Sequence, residues 1–199
     1  MSQSLLRRED VGDIPGLARF TMLETVREFG RERLAASGET GTARAAHARW
    51  YRQLVAQAAA DLIGPLQSEW LVLLDHEHAN IRLALDWLES EEDLGPALGM
   101  AADLVWFWWY RGLYAEGRTR LSALVAHPAA RRDLLAWAAA MDGLGLLVRA
   151  QGDIAQSVAT HEQALTVWRE IGSRDQLADS LFLYGLALME GLKSKLRLY

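Results

Sequence analysis

The sequence predicts an all-α protein. Its helical hairpins are expected to stack into a right-handed superhelix, preceded by one short N-terminal strand or partial wing. Three observations carry that prediction. Gly112 and Gly152 stand 40 residues apart, and Leu144-Gly145 returns as Tyr184-Gly185 at the same interval of 40. A shared period inside helix-patterned sequence marks a repeat array. Apolar residues around those glycines recur every three or four positions, which lines one face of a helix. Pro15, Pro65, Pro96 and Pro128 fall in the gaps between such segments, where a missing N–H is harmless.

The first regular element expected is a strand. Leu17, Arg19 and Thr21 alternate with Ala18, Phe20 and Met22, which is the period of extended chain. A lone strand makes no sheet, so its partners are expected elsewhere or outside this chain. Helices are expected near 22–37, 42–62, 66–90 (as one piece or two), 96–111, 114–126, 131–150, 154–171 and 175–190. The segment 154–171 is the best marked. Asp153 is placed to cap it, with Gln156 three residues on. Ile154, Val158, His161, Leu165 and Trp168 then line one face. Gly172 supplies a left-handed stop, and Ser173 with Gln176 repeats the capping pattern.

Composition excludes several classes of function. The net charge of -5 provides no general grip on nucleic acid. Arg27, Arg31, Arg33, Arg44, Arg49 and Arg52 are locally dense, but Glu24, Glu28, Glu32 and Glu39 punctuate them. That pattern reads as a solvated helix face laced with i,i+4 pairs. The absence of cysteine removes disulfides, thiolate metal sites and cysteine nucleophiles. No apolar run reaches the ~18–20 residues of a membrane span. Arg7, Arg8, Glu9 and Asp10 stand where a signal peptide would be apolar, so the cytoplasm is the expected compartment.

The repeat has an internal grammar. Met141, Leu144, Gly145 and Val148 are spaced large, large, small, large on the first helix of a pair, with Gly145 where the helices cross closely. Gly152 and Asp153 form the turn, and Ala164 and Leu165 supply small and large positions on the second helix. Leu181, Tyr184, Gly185 and Leu188 restart the pattern; Val105, Trp109 and Gly112 precede it in looser form, with 114–126 as partner. This spacing resembles the tetratricopeptide repeat. Two departures stand out: Ser157 and His161 occupy second-helix positions that usually hold a small residue and an aromatic one. The period is also longer than the usual ~34 residues.

ARFTMLETVREFGRERLAAS at 18–37 resembles the end of the winged-helix domain in STAND-class signal-transduction ATPases, including LuxR-type and AfsR-type transcriptional regulators. SLLRRED at 4–10 is similar to the wing strand before it. AHARWY at 46–51, WLVLLDHEHANIRLALDWL at 70–88 and WFWWYRGLYAEG at 106–117 resemble the helical region that follows. The repeats are similar to those of the maltose-regulator type. The resemblance implies a wing remnant at 1–22, a helical linker or cap region at 23–95, tetratricopeptide-like repeats at 96–191 and an irregular tail at 192–199. It also implies a missing upstream nucleotide-binding domain. This chain has no Gly-rich phosphate loop followed by Lys and Ser or Thr, so no ATP contact is assigned here. The wing is partial, so no direct DNA contact is assigned either. Both lysines, Lys193 and Lys195, lie in the final seven residues. That segment lacks a repeat's turn pattern, as expected of a truncated gene product, a frameshifted end or an artificial boundary.

Catalytic constellations are sparse. Asp75-His76-Glu77-His78 suggests a metal cluster, but residues two apart on a helix do not face each other. A solvated face is expected there, and no metal. His161 lies on an apolar stripe and is expected as a packed core residue. Trp106, Phe107, Trp108, Trp109 and Tyr110 surround their helix, which fits burial or a stacking pocket. Glu91, Glu92 and Asp93 read as a charged loop. No Ser/His/Asp constellation is visible, and neither an enzyme activity nor a cofactor is expected.

Repeat register sends Ala102, Trp106, Trp109, Asp142, Leu146, Arg149, Asp179, Phe182 and Met189 to the concave face. Asp142 and Arg149 would make polar contacts there, and Trp109 and Phe182 apolar ones. The same residues would otherwise only solvate or cap the array. The expected function is a non-catalytic sensor module of a transcriptional regulator or signalling ATPase. It would bind a protein or peptide partner or a small inducer. The alternative is a self-associating scaffold, a homodimer being the simplest form.

Overall fold

A computed structural model describes residues 6–10 and 18–196. Ser4 and Leu5 of the expected wing strand, Pro15, Leu17 and residues 197–199 of the expected tail lie outside the described residues. The strands and α-helices are β1 (Leu6–Asp10), β2 (Ala18–Met22), α1 (Glu24–Ser37), α2 (Thr40–Asp61), α3 (Gln67–Glu89), α4 (Gly95–Asp103), α5 (Val105–Tyr110), α6 (Tyr114–Ala126), α7 (Leu134–Ala150), α8 (Ile154–Ile171) and α9 (Arg174–Leu196), with a short 3-10 turn at Ala130–Arg132. Among the described residues the architecture is all-α apart from one strand pair. The chain divides into two compact units, the first ending at Trp87 and the second beginning at Leu88.

The first unit opens with β1 and β2 paired antiparallel, Leu6 opposite Met22 and Asp10 opposite Ala18. The partner expected elsewhere is β1, which falls within the 4–10 segment that resembles a wing strand. α1 buries none of its residues, and Arg27 pairs with Glu24 along it. Gly38 (φ 76°) closes α1 in the left-handed conformation, which glycine adopts without a Cβ penalty. α2 and α3 carry the apolar core of this unit, including Leu54, Val55, Leu62, Leu74, Ile81 and Leu85. Pro65 sits in the turn between them. α3 is one continuous helix rather than two pieces.

The second unit is built from helical hairpins. α5 and α6 form one and α7 and α8 the next, with α9 following. α7 is central and packs against α4, α6, α8 and α9. The two hairpin turns close with the same bonds 40 residues apart. Gly112 N–H donates to Trp109 C=O (3.2 Å) and Leu113 N–H to Trp108 C=O (2.8 Å). Gly152 N–H donates to Arg149 C=O (2.9 Å) and Asp153 N–H to Val148 C=O (3.2 Å). Both glycines have positive φ, 66° and 85°. This is the paired-bond stop in which a left-handed glycine lets the chain satisfy its last carbonyls. The period read from residue types thus recurs in the backbone.

Several boundaries differ from expectation for physical reasons. The segment 96–111 breaks at Leu104, where φ -81° and ψ -6° loosen the turn between α4 and α5. α7 starts at Leu134 rather than 131, because the Asp133 side chain accepts from Ala136 N–H at 3.0 Å and caps it there. α9 does not stop at 190. It continues to Leu196, so residues 192–196 of the expected irregular tail are helical. α6 and α8 span the expected residues. Asp153 accepts from Gln156 N–H at 3.3 Å, and Gly172 (φ 76°) stops α8.

Close helix contacts occur where side chains are missing. A Cβ at Gly145 would lie 2.6 Å from Nε2 of His161, so α7 meets α8 there. Ser157 donates its hydroxyl to Gly145 C=O at 2.8 Å. The two departures from the repeat pattern, Ser157 and His161, therefore both engage the crossing glycine. Two further close contacts have no marker in the sequence. A Cβ at Gly117 would meet Leu147 Cδ1 at 2.4 Å, and one at Gly143 would meet Val105 Cγ2 at 2.4 Å. Val105 stands 40 residues before Gly145, and its bulk is received by Gly143 on the facing helix. Gly185 has no heavy atom within 4 Å of an added Cβ.

Candidate binding face

The expected groove residues fall into three groups. Trp106, Trp109 and Arg149 come together. Trp106 and Trp109 meet edge to face with ring centroids 6.3 Å apart, and the Arg149 guanidinium lies over the Trp109 ring at 5.4 Å. Asp179, Phe182 and Met189 are exposed on α9. Asp142 and Leu146 turn inward. Leu146 is 2% exposed, so it packs in the core and its place in a groove is corrected. Ala102 is half-buried.

The cluster around Arg149 extends beyond the residues that repeat register marks. Tyr110 stacks on Trp106 at 6.0 Å, and Tyr114 meets Trp109 at 5.7 Å. Arg149 Nη1 donates to Glu190 Oε1 at 2.6 Å. One side chain near the end of α7 thus links α5 to α9. The Arg149 side chain is 12% exposed and that of Glu190 44%. The Nε–H of Arg149 is buried without an acceptor among the described residues. An orphaned donor on a charged group is costly to leave dry. A signal for Glu190 exists in the sequence. It follows Arg149 by 41 residues, one off the repeat period, with opposite charge. The aromatic run is only partly buried: Phe107 and Trp108 are fully inside, Trp106 and Trp109 half-buried, and Tyr110 exposed.

Asp142 is a structural hub rather than a groove contact. Its Oδ2 accepts from Trp168 Nε1–H at 2.7 Å. Its Oδ1 accepts from Ser180 Oγ–H at 2.8 Å and lies 2.9 Å from Nδ1 of His161. An acceptor-only carboxylate at that position requires Nδ1 of His161 to carry the hydrogen. Asp142 therefore ties α7 to both α8 and α9. Asp, His and Ser do meet here, which the sequence does not reveal. Their order is not that of a nucleophilic triad, because Ser180 bonds the carboxylate and not the imidazole. Nε2 of His161 is buried without a hydrogen-bond partner among the described residues and faces Gly145.

The first unit holds its own polar cluster. Glu77 is 5% exposed, which corrects its assignment to a solvated face. It accepts from Tyr51 Oη–H at 2.5 Å and from Asn80 Nδ2–H at 2.7 Å. Asp75 and His76 are exposed and His78 half-buried. Among the described residues no three His, Asp or Glu side chains are grouped to hold a metal ion.

His47 packs its ring against Tyr51 at 4.6 Å. Burial pushes its imidazole below the ordinary 6.5, while the Asn80 hydrogen bond and the Glu77 charge pull weakly the other way. The unfolded chain then takes up a proton before the folded one does. Stability is full above the unfolded value and falls as pH drops through the folded one. Urea midpoints at about pH 7.5 and about pH 5 are expected to differ less in His47→Gln than in the parent chain.

Over 183 aligned residues the chain is 27% identical to proteins of Mycobacterium bovis and of two strains of Mycobacterium tuberculosis, each provisionally named an HTH-type transcriptional regulator. The match covers 87% of this chain and 20% of each of those proteins. The chain thus spans about one fifth of the length of the curated relatives it matches. No family profile matches the sequence, and no solved structure matches the fold. Among the described residues no helix is long and apolar enough to cross a membrane.

Proposed function

We propose that this chain is a tetratricopeptide-like sensor segment of a transcriptional regulator of the signal-transducing ATPase type, and that it acts by binding rather than by catalysis. The carrying observation is the bridge at Arg149, which touches Trp109 of one repeat and Glu190 of another. A ligand that engages this side chain acts on three successive first helices at once. Binding that favours one relative setting of those helices would shift the array between two states. The names of the mycobacterial relatives support a regulatory setting. The repeated glycine turns support the repeat assignment.

The chemistry of the face favours a ligand with an acceptor beside an apolar or aromatic group. The exposed edge of the Arg149 guanidinium would meet the acceptor, and the Trp106, Trp109 and Tyr110 rings would meet the apolar part. Short acidic aromatic peptides and aromatic carboxylic acids are the probes. Binding is read by thermal shift and calorimetry on the whole chain. Trp109→Ala and Arg149→Gln are each expected to weaken a bound probe about tenfold or more. Arg169→Ala, an exposed control on α8, should leave it unchanged. Probes that bind equally well to both variants would place the ligand elsewhere and exclude this face.

A further inference from the structure

The outer face of α9 is apolar along its length. Leu181, Phe182, Leu188, Met189, Leu192 and Leu196 are exposed, Phe182 to 66% and Leu196 to 74%. The opposite face holds Ser180 and Ala187, both 0% exposed, so α9 is already anchored to its own unit on that side. At 3.6 residues per turn the outer residues fall in one stripe. Such a stripe is wider than the scattered apolar exposure of an ordinary surface.

The stripe has a centre. Gly185 lies in its middle, with nothing among the described residues within 4 Å of an added Cβ. Phe182 and Leu188 stand three residues before and after it, Leu181 and Met189 four, and Ala178 and Leu192 seven. The pattern of apolar positions therefore reads alike in both directions. A surface that must match itself under a two-fold rotation needs that property. Antiparallel helices related by such an axis place position 185 minus n opposite 185 plus n. Phe182 then faces Leu188, Leu181 faces Met189, and the bare Gly185 backbones meet at the crossing.

Charge follows the same symmetry. Asp175 and Asp179 are exposed on one flank of the stripe at its start, and Lys193 is exposed on that flank near its end. Antiparallel pairing brings Lys193 of one copy between Asp175 and Asp179 of the other. Parallel pairing would leave Lys193 far along the helix from both aspartates. Complementarity of this kind selects orientation more than it adds affinity.

We propose that α9 is a self-pairing helix, through which two copies of this chain associate antiparallel about a two-fold axis at Gly185. Light scattering is expected to give the mass of two 22.2-kDa chains. Phe182→Asp should yield a monomer with the parent's helical circular dichroism, since Phe182 is exposed within one chain. Asp175→Lys with Asp179→Lys should raise the dimer Kd roughly tenfold or more, and adding Lys193→Glu should restore it.

The absence of cysteine makes a direct geometric test possible. Gly185→Cys should oxidise to a covalent dimer, and Ser122→Cys on α6 should not. A parent chain that stays monomeric up to its solubility limit overturns the proposal. A dimer indifferent to Phe182→Asp and to the charge exchange overturns the assignment to α9. Either failure leaves the Arg149 binding test standing, because that test scores ligand affinity and not mass.

Discussion

Asp142→Ala is expected to destabilise the second unit by about 3–5 kcal/mol, more than any other single substitution outside the apolar core. The loss comes from what stays behind. Trp168 Nε1–H, Ser180 Oγ–H and the Nδ1–H of His161 would all lose their acceptor. Trp168, Ser180 and His161 are buried, His161 and Ser180 at 0% exposure. Each orphaned donor costs about 1–3 kcal/mol, reduced where water enters the space the carboxylate leaves. Asp142→Asn keeps the volume but turns an acceptor into an NH2 group facing donors, so it should recover only part of the loss. Thermal melts followed by tryptophan fluorescence, with hydrogen exchange in α8 and α9, make the check. A variant that melts with the parent chain contradicts the hub.

Gly145→Leu is expected to cost about 1–3 kcal/mol or more through overpacking. The first added carbon already falls 2.6 Å from Nε2, 2.7 Å from Cε1 and 2.9 Å from Cδ2 of His161. The ring is fully buried and tied to Asp142, so it cannot swing aside without breaking that bond. Even Gly145→Ala should be unfavourable, against the usual gain of ~1 kcal/mol for Ala over Gly inside a helix. The decisive measurement is a double-mutant cycle. Removing the ring with His161→Ala should abolish most of the Gly145→Ala penalty, giving a coupling of about 0.5–3 kcal/mol. Penalties that simply add would mean the two residues do not share the contact.

The parts of the fold legible in the sequence are those marked by residue type itself. A left-handed turn demands glycine, so Gly112, Gly152 and Gly172 announce their turns. A cap demands a short acceptor, so Asp153 announces the start of α8. Gly145 is legible because its helix pattern leaves a gap of one side chain. Other features depend on facts that no local pattern carries. Asp142 and Arg149 lie seven apart and share a face of α7, but spacing does not say which neighbour each position meets. Asp142 meets α8 and α9 inside the unit, and Arg149, two turns on, reaches α5 and α9 beside the aromatic cluster. Leu146 lies between them and is buried.

Gly117 and Gly143 look like ordinary helix glycines until Leu147, Trp108 and Val105 are seen against them. Glu77 is hidden by its acidic, histidine-rich surroundings. Its burial follows from Tyr51 and Asn80, the first of which is 26 residues away. Of the candidate face, the Trp109 and Arg149 positions follow from repeat register, while Glu190 falls one residue off that period and is signalled only by its opposite charge. An ion pair between successive repeats needs both helices placed before it can be recognised.

The matching turns at Gly112 and Gly152 bear on how such a chain can be inherited. In the proposed repeat array, a duplicated or excised block of 40 codons would rejoin like backbone to like backbone, so the gene would meet no unfamiliar junction. Binding at the proposed face would instead be tuned one side chain at a time, along the helices that carry Trp109, Arg149 and Glu190.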